Sequence, residues 1–440
     1  MTVAATAEGR HKMGPVLATF HVAGNMIGSG VFLLPATLAT IGSVSIIGWV
    51  VTTLGALLLA AIFSLLARVR PAAGGLVAFV GDGLGRFFGF EAAFGYWLTC
   101  TIGNVAIALA VVGYLSFFIP ALKAPLFAAA GTSAVIWLLT LANIVGPRFV
   151  GRMHGAALLI GLLPIAAAAV LGWLAFDPAV FRASWNVSGH SDIKAVGLTL
   201  VMVFWAFLGL ETGAVCARVV RNPERNVPIA TFGGVALAAI VYLLASAAVM
   251  GVLPAAVLAQ SAAPFADVVA RIVGAGVAGI VAACAIAKAS GTLGGWILVT
   301  AETNRASAEA GFLPRFVSRS DGDGPPVRDL IVLASLMTVV AFVTASPTIG
   351  EQFGVLINVS TNLALAVFAL SSAALFRFAG GMSSGRGLAR AVAVAGVLFC
   401  VGVIAASEPQ LLQVQAWLFL LSLPLWALIV WNGRRRGRQT

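Results

Sequence analysis

Glu211 stands in the apolar stretch VFWAFLGLETG, between Gly209 and Gly213, and reads as the only acidic residue deep within an apolar run. An ionisable side chain at the bilayer centre costs about 2.5–3.5 kcal/mol on insertion scales, so such groups mark binding, proton transfer or sensing. Its bland alternative is a hydrogen-bonded glutamic acid at a helix break. Lys288 is the one cation inside an apolar run, eight residues before Trp296, or roughly 12 Å along a helix. It either snorkels to an interface or finds a partner inside the bundle. Trp296 follows Gly294 and Gly295. A cation over an indole gains ~0.5–2 kcal/mol, which is roughly tenfold in affinity. Simple packing is its alternative.

A second glycine cluster, Gly24, Gly28 and Gly30, interrupts HVAGNMIGSGVFLLP. Glycine at this density lets a helix unwind. Unwound backbone in a membrane must line a cavity, because lipid satisfies neither N–H nor C=O. A half-helix restarting after Gly28-Ser29-Gly30 would turn free N–H groups and its positive dipole end toward a carboxylate. Carbonyls released before each break would receive an ammonium. Together these groups form a receptor for the two α groups of an amino acid. The competing reading of both clusters is close helix packing through small residues; Gly209 and Gly213 form a G-x-x-x-G. Glu211 and the paired placement of the clusters favour two breaks.

The elements that position these residues follow from composition. Of 440 residues, 60% are hydrophobic and 9% charged, which excludes a soluble globular domain, a disordered chain and a disulfide scaffold. The net charge of +11 comes from cations in short gaps between apolar runs, unlike the clustered basic face of a nucleic-acid binder. Cys100, Cys216, Cys284 and Cys400 all lie in apolar runs and read as packing residues. His11, His21, His154 and His190 are scattered, and no metal-ligand cluster, nucleophile elbow or phosphate loop is present, so the sequence calls for no metal, cofactor or catalytic residue.

With about 20 residues per crossing, twelve spans are expected near 15–40, 42–66, 87–119, 125–146, 153–176, 196–217, 229–253, 274–300, 329–346, 353–376, 389–406 and 411–431. The fold class is an all-α integral membrane protein. Lys123, Arg182, Lys194 and Arg271 are the cations of one side; every other cation outside a span falls on the side of the termini, placing both termini in the cytoplasm. The basic run from Arg434 to Arg436 anchors that topology. Breaks near 28–30 and 208–212 open two blocks of five spans, the pointer to a five-plus-five inverted repeat with its site at mid-membrane. The expected organisation is an N-terminal tail over 1–14, repeats over 15–176 and 195–376, two further helices over 389–431 and a basic tail over 432–440.

Several segments then resemble the amino acid–polyamine–organocation superfamily: GNMIGSGVFLLP, PAAGGLVAF, YWLTCTIGN, NIVGPR, FWAFLGLET with RNPERNVPIAT, and GTLGGW. The likeness runs from about residue 12 to 376, more faintly beyond. It is nearest to that superfamily's bacterial arginine/agmatine antiporters. The resemblance implies a twelve-helix homodimer in the bacterial inner membrane that exchanges a basic amino acid for its decarboxylation product, a task tied to acid resistance. By the same resemblance Ser29 and Gly30 hold the substrate carboxylate. Carbonyls of Met26, Trp205 and Leu208 hold the α-ammonium, and Asn25 lines the site. Trp296 stacks on the distal head group, walled by Thr99, Cys100 and Asn104, with Asn358 nearby. Tyr96 and Trp205 act as gates, and Glu211 senses pH. Sodium-coupled relatives bind a cation between the first and eighth helices, where Lys288 is an internal surrogate if it does not snorkel.

The chain departs from the pattern at Val77, Thr101, Ile357, Asn358 and Lys288. Expected substrates are arginine inward and agmatine outward. Lysine/cadaverine and ornithine/putrescine are rivals of the same class, and a non-transporting amino-acid receptor is a rival of another. The lipid bilayer is the remaining expected partner; no nucleic acid is.

Overall fold

The computed structural model describes residues 13–28, 30–70, 75–146, 150, 155, 157, 160–211, 220–313 and 326–436. They form an all-helical bundle. Among the described residues the only β-type pairing is an isolated bridge between Met13 and Val220.

The first span is two pieces, α1 (Pro15–Met26) and α2 (Gly30–Ala39). The second is α3 (Ser45–Val69). A short helix, α4 (Leu76–Leu84), leads into the third span, α5 (Arg86–Leu115). The fourth is α6 (Pro125–Val145), and the fifth ends in α7 (Leu162–Leu174). After the short α8 (Pro178–Ala183), the sixth span begins as α9 (Asp192–Phe204). The seventh is α10 (Pro223–Val252). Two short helices, α11 (Ala255–Leu258) and α12 (Pro264–Val273), connect it to the eighth, α13 (Ala275–Glu309). The last four spans are α14 (Val327–Val343), α15 (Ile349–Phe378), α16 (Arg386–Ala405) and α17 (Pro409–Arg436).

Eight described helices are each long and apolar enough to cross a membrane alone. The first and sixth spans fall short because they are broken. The fifth is described in part, and α14, at 17 residues, is slightly short. The third span ends earlier than its apolar run implied. The run continues to Ile119, but the helix stops at Leu115 and a 3-10 turn follows at Pro120–Lys123. Proline opens α1, α6, α8, α10, α12 and α17, where its missing N–H forfeits no helical bond. Thr348 caps α15, its hydroxyl accepting from the Glu351 N–H at 3.1 Å.

Burial orders the bundle. Of the apolar stretch of α5, 83% is enclosed, against 11% for α17. So α5 is an inner post and α17 an outer, lipid-facing rod. The post packs against α13 and α15, while α1 packs against α10. Small residues on α5, such as Gly95, Gly103 and Ala106, let these neighbours approach closely. Cys100, Cys284 and Cys400 are free thiols, and Cys216 lies outside the described residues.

Candidate functional site

The first span breaks as its glycines imply. The amide of Gly28 would bond to Gly24 in a continuing α-helix; it turns instead to the Met26 carbonyl. The Gly24 carbonyl, so released, accepts a long hydrogen bond of 3.4 Å from Nζ of Lys288 on α13. Lys288 is 1% exposed. Its stem crosses the face of Gly161, where a Cβ would lie 2.3 Å from Lys288 Cγ and Cδ. Lys288 therefore does not snorkel: it points inward, to the end of α1. Helix resumes at Gly30; Ser29 lies outside the described residues.

The sixth span breaks differently. Regular helix ends at Phe204, tightens into a 3-10 turn at Trp205–Phe207, and opens at Leu208. Gly209 then takes φ +103, which L side chains rarely adopt. There its N–H points at its own chain's carboxylate, Glu211 Oε2, at 3.0 Å. The hydroxyl of Tyr96, on α5, donates to the other oxygen, Oε1, at 2.9 Å. Tyr242 on α10 donates to the Ala206 carbonyl at 3.1 Å. Thr212 and Gly213 lie outside the described residues.

The two breaks meet. A Cβ on Gly209 would sit 3.5 Å from the Asn25 carbonyl and 3.6 Å from Cζ2 of Trp296. A Cβ on Gly28 would sit 3.2 Å from Cγ2 of Thr292, one turn before Trp296. Between them lies a cavity lined from both breaks.

Asn25, Met26 and Gly28 line the cavity from the first break, and Trp205, Leu208 and Glu211 from the second. From α5 come Tyr96, Thr99, Cys100, Gly103, Asn104 and Ile107, one face at helical spacing. Trp296 completes the wall from α13. Behind it, Nδ2 of Asn104 donates to Thr300 Oγ1 at 3.2 Å, and the Thr300 hydroxyl donates to the Trp296 carbonyl at 2.7 Å. This chain ties the tryptophan to the inner post. The carbonyls of Met26 and Trp205 accept backbone bonds from Gly28 and Leu208, and a carbonyl oxygen has two lone pairs.

Thus the structure gathers Asn25, Met26, Tyr96, Thr99, Cys100, Asn104, Trp205, Leu208, Glu211 and Trp296 around one space. Gly30 begins α2 and is not among the lining residues. Lys288 stands one layer behind. Asn358 is buried in α15 but does not line the cavity; Ser360 and Ala364 do. Two residues along a helix turn about 200°, so 358 and 360 occupy opposite faces. Ser360, whose hydroxyl donates to the Thr99 carbonyl at 2.8 Å, was not singled out from the sequence, nor were Thr292 and Thr300. Their steps of four from Trp296 were the available signal. The sequence also pointed to Glu211 as the only deep acid. Glu91 on α5 and Asp329 on α14 are buried in the bundle as well, though not at mid-span. Both lie within a few residues of a helix start and look like end residues in the sequence. His154 lies outside the described residues.

A family model described as amino acid permease matches residues 14–429. The cadaverine/lysine antiporter of Escherichia coli (strain K12) is 34% identical over 418 residues, which are 94% of this chain and 93% of that protein. The putrescine transporter PotE of the same strain is 34% identical over 365 residues, 83% of each chain. PotE of Haemophilus influenzae is 33% identical over 365 residues, 83% of this chain and 84% of that one. The proteins in this company are transporters, not enzymes. With its twelve spans, two broken helices and the cavity between them, the chain belongs to the amino acid permease family of the amino acid–polyamine–organocation superfamily.

Proposed function

We propose that this protein exchanges a dibasic amino acid for the amine left by its decarboxylation, in the bacterial inner membrane with both termini cytoplasmic. The supporting observation is the meeting of the two breaks at one cavity lined by the indole of Trp296 and the carboxylate of Glu211. The α-ammonium sits on the carbonyls of Met26, Trp205 and Leu208. The carboxylate sits at the start of α2, by Ser29 and Gly30. The distal cation lies against Trp296, near Asn104. The amine lacks the carboxylate, so it leaves the start of α2 unoccupied and holds on by its other groups.

Lysine inward and cadaverine outward is our first reading, since the relative named for that pair matches over almost the whole chain. Arginine and agmatine, favoured by the sequence resemblance, are the second; ornithine and putrescine are the third, through the putrescine transporter. A cycle of monocation in and dication out exports one positive charge. The first and sixth spans, one from each five-span inverted repeat, rock against the rest of the bundle in a homodimer. Tyr96 and Trp205 gate it, Glu211 answers to pH, and Lys288 stands in for a bound cation at the end of α1.

Liposomes loaded with cadaverine, agmatine or putrescine and offered labelled lysine, arginine or ornithine test this. Uptake that needs an internal amine and is fastest for lysine with cadaverine is the expected result. Binding without flux would favour a receptor; flux into unloaded vesicles would overturn exchange. Parent flux should be indifferent to sodium. Sodium dependence in Lys288→Ala is expected, and its absence would argue against the surrogate role.

A further inference from the structure

Glu91 lies on α5, five residues before Tyr96, on the seam between the inner post and α17. The seam is built of rings. Phe90 packs on Trp426 with centroids 5.4 Å apart, Phe87 on the same indole at 5.6 Å, and Gly95 lies under Phe419. Phe419, Ser422 and Trp426 recur at helical spacing along one face of α17. Among these apolar groups Glu91 is 7% exposed.

Among the described residues its polar partner is Ser422, which is fully buried; Ser422 Oγ is 2.7 Å from Glu91 Oε1. The same Oγ is 2.6 Å from the Phe419 carbonyl oxygen. A serine hydroxyl has one hydrogen. A carbonyl oxygen and an ionised carboxylate both only accept, so one hydrogen would have to serve two acceptors. The arrangement closes if the carboxyl carries its own proton: Glu91 donates to Ser422, and Ser422 donates to Phe419. The other carboxyl oxygen, Oε2, is buried without a hydrogen-bond partner. That is tolerable for a neutral acid and costly for a carboxylate.

Among the described residues no neighbouring charge compensates an ionised Glu91. Asp82 on α4, Arg86 on α5 and Arg377 on α15 are exposed at helix ends. Arg305 of α13 is engaged by Glu302 at 2.8 Å and Glu309 at 3.9 Å. Arg328 and Asp329 lie at the start of α14, and Asp329 has a contact of its own. From Pro409 to Trp431, α17 has no charged residue. Among the described residues no lysine or arginine is ion-paired with Glu91.

We propose that Glu91 is a proton-binding site separate from the substrate cavity, held as a carboxylic acid against Ser422, whose ionisation loosens α5 from α17 and slows transport. At alkaline pH the O–H bond breaks and the proton passes to water. The carboxylate left behind faces aromatic rings and seeks hydration, so the seam opens. The same post carries Tyr96, Thr99, Cys100 and Asn104 into the cavity, so a shifted α5 reaches the site.

The protonation claim is read by infrared difference spectroscopy of the full-length protein in lipid, between acid and alkaline samples. A protonated-carboxyl band that persists at neutral pH in the parent and in Glu211→Gln, and is missing in Glu91→Gln, is expected. A parent spectrum unchanged by Glu91→Gln would overturn it. The coupling claim rests on the transport reading and is measured as exchange against pH. Parent flux should fall several-fold on the alkaline side, while Glu91→Gln, an isosteric mimic of the acid, keeps the acid-side rate throughout. A parent profile without that fall, or a Glu91→Gln profile that follows the parent's, would overturn the coupling and leave the infrared result standing by itself.

Discussion

The hydroxyl of Tyr96 donates to Oε1 of Glu211 at 2.9 Å, joining the inner post to the break in the sixth span. Glu211 is thereby held from both sides, by the phenol and by the Gly209 amide. Leaving one buried acceptor unsatisfied costs about 1–3 kcal/mol. Tyr96→Phe should therefore slow exchange by roughly tenfold, taking 1.4 kcal/mol per decade. Glu211→Gln removes the same link from the other end. If the pair acts as a unit, the double variant is no slower than the worse single one. Independent, additive losses in liposome flux would show that Tyr96 acts on its own.

Gly209 tests the shape of the break itself. At φ +103, a Cβ brings backbone strain of about 1–3 kcal/mol. Relief by rotation would also withdraw the N–H from Glu211. Gly209→Ala is expected to insert into the membrane normally, lose most of its exchange and melt at a lower temperature. Gly402→Ala is the control: it lies on α16 with ordinary φ, and nothing stands within 4 Å of the added methyl. Equal flux in the two variants would mean the left-handed residue is incidental.

Both breaks could be read from the sequence because a membrane makes unusual backbone costly. Glycines clustered in an apolar run are either packing or a break, and Glu211 tipped the balance. The face of α5 was legible at Tyr96, Cys100 and Asn104 through the family likeness. Ser360 was not, because Asn358 offered a more polar side chain on the wrong face of α15. The protonated seam at Glu91 was invisible for a different reason. Its partner Ser422 is 331 residues away, and serine in an apolar helix usually bonds its own backbone. Lys288 was visible as an anomaly, but its target, the Gly24 carbonyl, depends on Gly161 providing a channel for its stem.

That channel predicts a suppressor. A methyl at residue 161 would sit 2.3 Å from Cγ and Cδ of Lys288 and 2.7 Å from its Cβ, too close for the stem to evade. Gly161→Ala should therefore displace Lys288 from the end of α1 and lower both thermal stability and exchange. Truncating the lysine removes the collision, so Lys288→Ala in the same chain should restore stability, though not full exchange. Melting curves of the two singles and the double variant in detergent decide the matter. A double variant no more stable than Gly161→Ala alone would mean that the two residues do not collide in the folded protein.

Trp296 decides whether the far wall reads charge or only shape. Its indole lies on the cavity, and its backbone is fixed through Thr300 to Asn104. A cation on that face gains ~0.5–2 kcal/mol, whereas a neutral chain of equal length gains only contact area. Competition by lysine against norleucine, which lacks the terminal ammonium, separates the two contributions. In Trp296→Leu, lysine should weaken by about two- to thirtyfold, while norleucine changes little because leucine keeps the wall apolar. Trp296→Phe, with a smaller π face, should fall between. Thr300→Val leaves the ring in place but frees it from the post, so it should blur the lysine preference rather than abolish it. If lysine and norleucine weaken in parallel across the three variants, the tryptophan is packing, and the selectivity for cations must come from Glu211 and the carbonyls of the two breaks.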